Sequence, residues 1–163
     1  MVQERKGEIE EELQLALENW ESYRDNYRAG RFRKATADLY FFCEHSAKAL
    51  LLTVGIDPQY HEGIRRMISM HFIKPGAMPV KVARYLGNLH DRRKTAEYSR
   101  QAGWEFTEDE VRTYTQWAGE SVKWFLKNIK KNVPKMRFKS KELVDSIDDA
   151  FRALGISEQE EHK

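Results

Sequence analysis

The sequence predicts an all-α fold, an antiparallel (up-down) helical bundle of four to five main helices followed by a short C-terminal helix. Apolar residues recur at steps of three and four through most of the 163 residues, which is the periodicity of helices with one buried face. No stretch of useful length alternates apolar and polar residues as a half-buried strand does. Glycine and proline separate the periodic segments, and short connections between long helices favour antiparallel neighbours.

The first two predicted helices carry long apolar stripes. Helix one is predicted over about residues 5–28 and ends before Gly30, since glycine tolerates the left-handed backbone that commonly follows a helix. Helix two is predicted over about residues 31–54, before Gly55, and its apolar arc is the broadest in the chain. We therefore expect helix two to be the central and most buried helix.

Prolines mark the boundaries of the next two helices. Helix three is predicted near residues 60–74, because Pro75 disfavours α-helical geometry in the residue before it. Pro79 suits the first turn of helix four, where a backbone N–H would have no helical partner. An arginine then interrupts the apolar stripe of helix four. This stripe consists of Val82, Leu86, Leu89, Arg93 and Ala96.

Helix five has the clearest start of all the predicted helices. Thr107 and Glu110 have the spacing of a capping box, and Phe106 and Val111 have the spacing of the hydrophobic staple around it. Pro134 ends this helix. Its predicted inward residues are Val111, Tyr114, Ala118, Val122, Phe125 and Ile129, with Trp117 and Trp124 on its flank.

The bundle is predicted to occupy residues 5–132, and residues 133–163 to form a basic linker, a short sixth helix and an acidic tail. Leu143, Ile147 and Phe151 give the sixth helix an apolar face that either the bundle or a partner must cover. Residues 121–141 carry eight Lys/Arg and no Asp/Glu. This basic stretch could bind a polyanionic partner. The simpler interpretation, which we favour, is a solvated helix face and a basic linker that the acidic C-terminal segment partly neutralises.

Composition excludes several classes of protein. No apolar run approaches the roughly 20 residues that a membrane-spanning helix needs, and the charged N-terminus lacks the apolar region of a secretory signal. We therefore expect a cytoplasmic protein that does not enter a membrane. The single cysteine, Cys43, cannot form an internal disulfide and is expected to be a packing residue.

Most catalytic and cofactor motifs are missing. None of the five histidines belongs to a His-Glu-x-x-His or Glu-x-x-His pair, so we expect no zinc or di-metal site. No Walker A loop, Gly-x-Gly-x-x-Gly or Gly-x-Ser-x-Gly motif is present, and no cofactor is expected. What remains is a polar cluster on helix four.

That cluster places His90, Arg93 and Glu97 on one helical face, because residues three and four apart are neighbours. Arg93 continues an apolar row, so its guanidinium is expected at a groove or subunit interface, where it needs a carboxylate or a phosphate. A salt bridge to Glu97 that only supports helix packing is one interpretation. An anion site, for instance for an RNA phosphate, is the other.

Two segments together resemble the HEPN domain family (higher eukaryotes and prokaryotes nucleotide-binding). They are KATADLYFFCEHSAKALL at residues 34–51, followed by Gly55, and LHDRRKTAEY at residues 89–98, with His61 and Gly63 between them. The resemblance spans roughly residues 10–131. It implies a bundle that usually forms a homodimer, with a polar groove near the dimer interface. It also implies an RNA or nucleotide ligand, because many members are ribonucleases, often toxins paired with a minimal nucleotidyltransferase antitoxin.

Catalytic members of this family carry an arginine followed, after four to six residues, by a histidine. Arg93 matches the arginine, but Tyr98 stands where the histidine would be, as in the branch with Arg-x-x-Ala-Asp/Glu-Tyr. A tyrosine transfers protons poorly at neutral pH, since its ordinary pKa is about 10 against about 6.5 for histidine. Whether the chain is an enzyme is therefore left open. The alternative is a catalytically inactive helical adaptor that binds a partner protein.

The resemblance implies a role for each residue of the cluster. Arg93 would bind phosphate, Glu97 would orient Arg93, Tyr98 would hydrogen-bond the ligand, and His90 would be a reserve acid or base. Basic residues elsewhere are candidates for contacts with nucleic acid, and the tryptophans are expected in the core or at a dimer contact rather than under stacked bases. The candidate nucleic-acid contacts are Arg92, Lys94, Arg100, Lys123, Lys127 and Lys130.

Overall fold

The computed structural model describes residues 5–58, 61–98, 106–136, 138 and 140–158. These residues form helices and connections without a β-strand, which confirms the all-α prediction. A π-helical turn, Ser69–Ile73, follows the third helix. The six α-helices are α1 Lys6–Arg28, α2 Phe32–Leu52, α3 His61–Ile68, α4 Lys81–Tyr98, α5 Glu108–Asn132 and α6 Ser140–Leu154.

Long helices that follow one another along the chain run antiparallel in the bundle. Glu12 contacts His45 and Trp20 contacts Phe42, so α1 and α2 run in opposite directions. The same reversal relates α2 to α4 and α4 to α5. Helix α2 packs against α1, α3, α4 and α5, which confirms that it is the central helix. Its fully buried apolar residues are Ala35, Leu39, Phe42, Ala47, Ala49, Leu50 and Leu51.

The predicted helix boundaries are correct to within a few residues. The backbone N–H of Glu110 donates to the Thr107 hydroxyl at 3.2 Å, which confirms the cap of α5. The predicted helix near 60–74 is divided, since the last part of it widens into the π-helical turn, where the N–H of Lys74 donates to Ser69 O at 2.9 Å. This widening coincides with Pro75, which has no N–H with which to continue the ladder.

Helix α6 covers its apolar face with the bundle rather than leaving it for a partner. A Cβ atom on Gly119 of α5 would come within 2.5 Å of the Phe151 ring and 2.9 Å of Ile147. The two helices therefore approach each other closely because Gly119 has no side chain. Trp20 of α1 also donates a hydrogen bond to the hydroxyl of Ser146 at 3.0 Å.

Candidate nucleic-acid interface

Arg93 of α4 extends its side chain towards the middle of α2. Its guanidinium carbon is 5.0 Å from the ring centre of Phe41 and 5.4 Å from that of Tyr40. A guanidinium over aromatic faces is held in position by cation–π attraction while its N–H groups can still reach a ligand. The arginine of the apolar row thus emerges at the edge of the α2–α4 seam, half-buried.

A small cleft opens beside Tyr40, between α2, α3 and α4. Glu44 of α2 lies in it with only 6% of its surface exposed. A second guanidinium, that of Arg65, reaches the cleft from α3 and passes close to Gly87, where a Cβ atom would lie 3.4 Å from its Nη1 atom. The cleft is lined by Tyr40, Cys43, Glu44, Ala47, Ile64, Arg65, Leu86 and Leu89.

Tyr40 connects the two arginines with the carboxylate. Burial raises the pKa of the Tyr40 phenol well above its usual value, and its hydrogen bond to Glu44 and the charge of Glu44 raise it further. The positive charges of Arg93 and Arg65 oppose that rise without reversing it. Tyr40 is therefore a neutral hydrogen-bond donor at physiological pH, and four side chains from three helices converge around its ring and hydroxyl.

His90 is the second predicted site residue that the structure places at Tyr40. Its ring centre lies 5.7 Å from that of Tyr40, and 8% of its surface is exposed. Its Nδ1 atom lies 3.4 Å from a carboxylate oxygen of Asp91. His90 and Arg93, three residues apart on α4, thus contact the same ring of α2, as their helical spacing predicts.

Three predicted site residues fall outside what the structure describes. Arg100 lies in an undescribed segment, and the side chains of Glu97 and Tyr98 are likewise not described, although their backbone belongs to α4. The pairing of Glu97 with Arg93 and the contact of Tyr98 with a ligand stay predictions. The site that follows from the described residues is therefore the group of Tyr40, Glu44, Arg65, His90 and Arg93, which we call the Arg93 cleft.

The basic candidates lie in different surroundings. The guanidinium of Arg92 lies 5.9 Å from the ring centre of Tyr114, on the α5 side of α4, and Lys94 is exposed. Lys127 covers the ring of Trp124 at 4.8 Å, and Lys130 is exposed. The structure brings none of these four side chains into contact with a described residue of the Arg93 cleft.

Lys123 differs from the other lysines of α5, because the acidic C-terminal segment binds it. Its ammonium donates to Asp148 at 2.7 Å and also to Glu158. Burial alone would lower the pKa of Lys123, but these two carboxylates outweigh it and raise the pKa. This is the neutralisation by the acidic tail that the charge pattern suggested as the simpler interpretation.

Sequence reasoning gave no role to Tyr40, Glu44 or Arg65. Glu44 follows Tyr40 by one helical turn on the helix predicted to be most buried. An acidic residue on so apolar a helix was the one feature of the sequence that could have indicated a functional role for Glu44. Arg65 offered no signal, because only the packing of α3 brings it to the cleft. His45, the neighbour of Glu44, faces α1 instead and contacts Glu12 at 2.6 Å, as expected for a polar packing residue.

Metal-ligand groups, the cysteine and the lengths of the helices can be assessed in the part of the chain that the structure describes. No group of three or more His, Cys, Asp or Glu side chains there is arranged to hold a metal ion. Cys43 is buried with 2% exposure, and burial raises the pKa of its thiol, so it serves packing as predicted. None of the described helices is both long enough and apolar enough to cross a membrane.

Comparison with known proteins identifies the family. The chain is 30% identical over 93 residues to "Putative toxin MJ0142" and 30% identical over 94 residues to "Putative toxin MJ0605", both of Methanocaldococcus jannaschii. It is 35% identical over 79 residues to "UPF0332 protein PH1297" of Pyrococcus horikoshii. These alignments cover 57%, 58% and 48% of this chain.

The matched regions cover 63% of the first relative, 70% of the second and 56% of the Pyrococcus protein. For two of the three, the chain therefore spans less than two thirds of the relative's length. A profile of the HEPN domain, in contrast, matches residues 9–152, from the first turn of α1 into the last turn of α6. This chain belongs to the HEPN domain family.

Proposed function

We propose that this chain is the toxin component of a toxin–antitoxin pair and that it acts on RNA at the Arg93 cleft. Two relatives carry the word toxin in their names, which supports the first part of the proposal. The second part rests on one observation, the meeting of Arg93, Arg65 and His90 around Tyr40. The proposed antitoxin is a minimal nucleotidyltransferase, as the family resemblance implies.

The charges of the cleft favour a phosphate. Among the side chains that the structure describes, two guanidinium groups and one carboxylate, Glu44, lie around Tyr40, and the Lys48 ammonium lies 3.6 Å from that carboxylate. The cleft therefore has a positive balance that a phosphodiester can neutralise, and guanidinium groups bind phosphate oxygens in a fork geometry.

The same groups suit cleavage of RNA. The 2′-oxygen of a ribose would attack the adjacent phosphorus, form a 2′,3′-cyclic phosphate and release the 5′-oxygen, which takes up a proton from water. The imidazole of His90 is the group of this site suited to accept the 2′-hydroxyl proton. Arg93 is suited to stabilise the charge that develops on the phosphate oxygens. A homodimer in which two Arg93 clefts lie near the interface completes the proposal.

The decisive experiment compares Arg93→Ala with Arg66→Ala. Arg66 is exposed and follows Arg65 on α3, so its removal deletes an arginine without touching the cleft. We expect the purified full chain to bind and cleave single-stranded RNA, Arg93→Ala to lose at least about tenfold in both properties, and Arg66→Ala to retain them.

The outcomes separate the proposal from its alternative. A wild-type protein that neither binds nor cleaves any tested RNA would refute the proposal and leave the helical adaptor. Equal activity of Arg93→Ala and Arg66→Ala would place RNA elsewhere on the surface. Light scattering of the same samples tests the homodimer, which a strictly monomeric protein would contradict.

A further inference from the structure

A row of aromatic and arginine side chains lies along the seam between α4 and α5, outside the Arg93 cleft. The rings of Tyr85 and Trp117 stack with their centres 6.0 Å apart and their planes inclined by 19°, and Trp117 lies 5.3 Å from Tyr114. The guanidinium carbon of Arg84 lies 5.6 Å from the ring centre of Tyr85, and that of Arg92 lies 5.9 Å from Tyr114. We call these five side chains the aromatic strip.

The two tyrosines form the floor of the strip and the other three side chains form its outer surface. Tyr85 and Tyr114 are buried, with 2% and 3% of their surface exposed, whereas Trp117 is only partly buried. Arg84 is exposed and Arg92 is half-buried. A ligand therefore meets an indole between two cations.

The positive charge of the strip is available to a ligand. Among the residues that the structure describes, no carboxylate forms an ion pair with Arg84 or Arg92. The two carboxylates beside the tyrosines already accept hydrogen bonds, Glu110 from the strip itself at 3.0 Å and Glu120 from Lys81 at 2.9 Å. The outer surface is thus cationic and aromatic at once.

We propose that the aromatic strip binds the single-stranded RNA that flanks the phosphate held in the Arg93 cleft; this inference rests on the proposed function. A base stacks on Trp117, and the two arginines bind phosphates on either side of it, which is how single-strand binders combine aromatic platforms with basic grooves. Arg84 and Arg92 are eight residues apart on α4, or about 12 Å of helix, so they reach different phosphates.

The location of the strip connects it to the cleft. Arg92 and Arg93 are consecutive residues of α4, and the first contacts α5 while the second contacts α2. A strand that crosses α4 therefore reaches both sites. An apolar protein partner is less suited to this surface, because binding would remove two arginines from water without a compensating negative charge.

The test uses two fluorescein-labelled, 2′-O-methylated probes that the proposed reaction cannot cleave, a single-stranded RNA of about 12 nucleotides and a dinucleotide short enough to engage the Arg93 cleft alone, with fluorescence anisotropy as the readout. We expect Trp117→Leu to weaken binding of the longer RNA roughly 5- to 100-fold, whereas Trp117→Tyr retains most of it. Trp124→Leu is the matched control, since this tryptophan lies on α5 outside the strip. None of the three should change dinucleotide binding.

The arginines have a separate signature. Replacing both Arg84 and Arg92 by alanine should reduce the slope of log affinity against log salt by about 1.5 for the longer RNA, since two phosphate contacts are lost. The dinucleotide should bind this double variant as it binds the wild type. Arg93→Ala, in contrast, should weaken binding of both probes.

Failure of the strip and failure of the proposed function give different results. If Trp117→Leu binds the longer RNA like the wild type while dinucleotide binding depends on Arg93, the strip is wrong and the proposed function stands. If Trp117→Leu changes only the oligomeric state in light scattering, the strip is a protein–protein surface. If the wild-type protein binds neither probe, the proposals for the cleft and for the strip both fail. If binding of the longer RNA depends on Trp117 but not on Arg93, the cleft is not an RNA site and the strip does not flank one.

Discussion

The guanidinium carbon of Arg93 lies 5.0 Å from the centre of the Phe41 ring. This contact explains how an arginine occupies a position in the apolar row of α4. Its hydrocarbon stem packs along the seam, and its charged end rests on aromatic faces of α2 rather than in the core. The position of the charge at the cleft thus depends on an aromatic residue that makes no direct contact with a ligand in the proposal.

The first prediction concerns this support. Phe41→Leu should weaken RNA binding about 2- to 5-fold, because a cation–π contact of this kind contributes about 0.5–1 kcal/mol to holding the guanidinium in place. Phe32→Leu is the control, because Phe32 is the first residue of α2, nine residues before Phe41; this variant should leave the affinity for RNA unchanged. Anisotropy titrations with the same RNA measure both. An affinity of Phe41→Leu equal to that of the wild type would show that Arg93 needs no such support.

The second prediction concerns the attachment of α6. Gly119→Ala places a methyl group 2.5 Å from the Phe151 ring, so α6 must shift, and we expect a loss of about 1–3 kcal/mol in the free energy of unfolding. Urea titration measures this loss, and limited proteolysis should release α6 first.

Gly63→Ala is the control for this change. Gly63 lies in α3 with no atom within 4 Å of the new methyl group, so the variant should be as stable as the wild type or more stable. The double variant Gly119→Ala/Phe151→Leu should regain part of the loss. Wild-type stability of Gly119→Ala would mean that α6 adjusts freely.

The third prediction concerns a buried ion pair. Lys81 Nζ donates to Glu120 Oε1 at 2.9 Å, and the two side chains are only 11% and 4% exposed. Lys81→Met should lower the free energy of unfolding by about 3–5 kcal/mol, because it leaves a buried carboxylate without its cation. The double variant Lys81→Met/Glu120→Leu should recover most of that loss. Chemical denaturation of the single and double variants measures both changes. A Lys81→Met variant with the free energy of unfolding of the wild type would show that the ion pair contributes little to stability.

The fourth prediction concerns alkaline pH. Burial raises the pKa of Tyr114 to about 12 and that of Tyr23 well above its usual value. In the unfolded chain both phenols ionise near pH 10, so their stabilising effect is complete below about pH 10 and disappears as pH rises through the folded pKa values. The free energy of unfolding should therefore fall steeply above about pH 10.

Tyr23→Phe tests this pH dependence. The Thr115 hydroxyl donates to Val111 O at 2.8 Å, so Tyr23 is the donor in the 2.5 Å hydrogen bond between the two hydroxyls. The variant should lose about 1 kcal/mol at neutral pH with that bond, yet lose less than the wild type between about pH 10 and pH 12. Thermal melts across this range provide the measurement, and parallel curves for the two proteins would contradict the prediction.

Helical structure was predictable because it depends on local periodicity and on residues at helix ends. The Thr107 cap of α5 and the glycine after α1 are examples, since both act within a few residues of themselves. The π-helical turn at Ser69–Ile73 was not predicted, because the apolar stripe of the third helix continues through it. In so short a segment the periodicity does not distinguish α-helical from π-helical hydrogen bonding.

The candidate site was predictable only along α4. Spacing on one helix placed His90 and Arg93 on the same face, since the geometry of a single helix relates residues three apart. It did not indicate what that face contacts. Tyr40 and Glu44 lie some fifty residues earlier in the chain, and Arg65 lies on a third helix.

The sequence by itself determined the all-α class, the helices and the one arginine set into an apolar row, because each is a property of neighbouring residues. The tertiary structure alone decided that Arg93, Arg65 and Glu44 surround Tyr40 and that Gly119 receives α6. The physical reason is that periodicity defines which face of a helix is buried but not how the facing helix is rotated or shifted. Close packing of the side chains selects that rotation and shift, and with it the polar groups that meet.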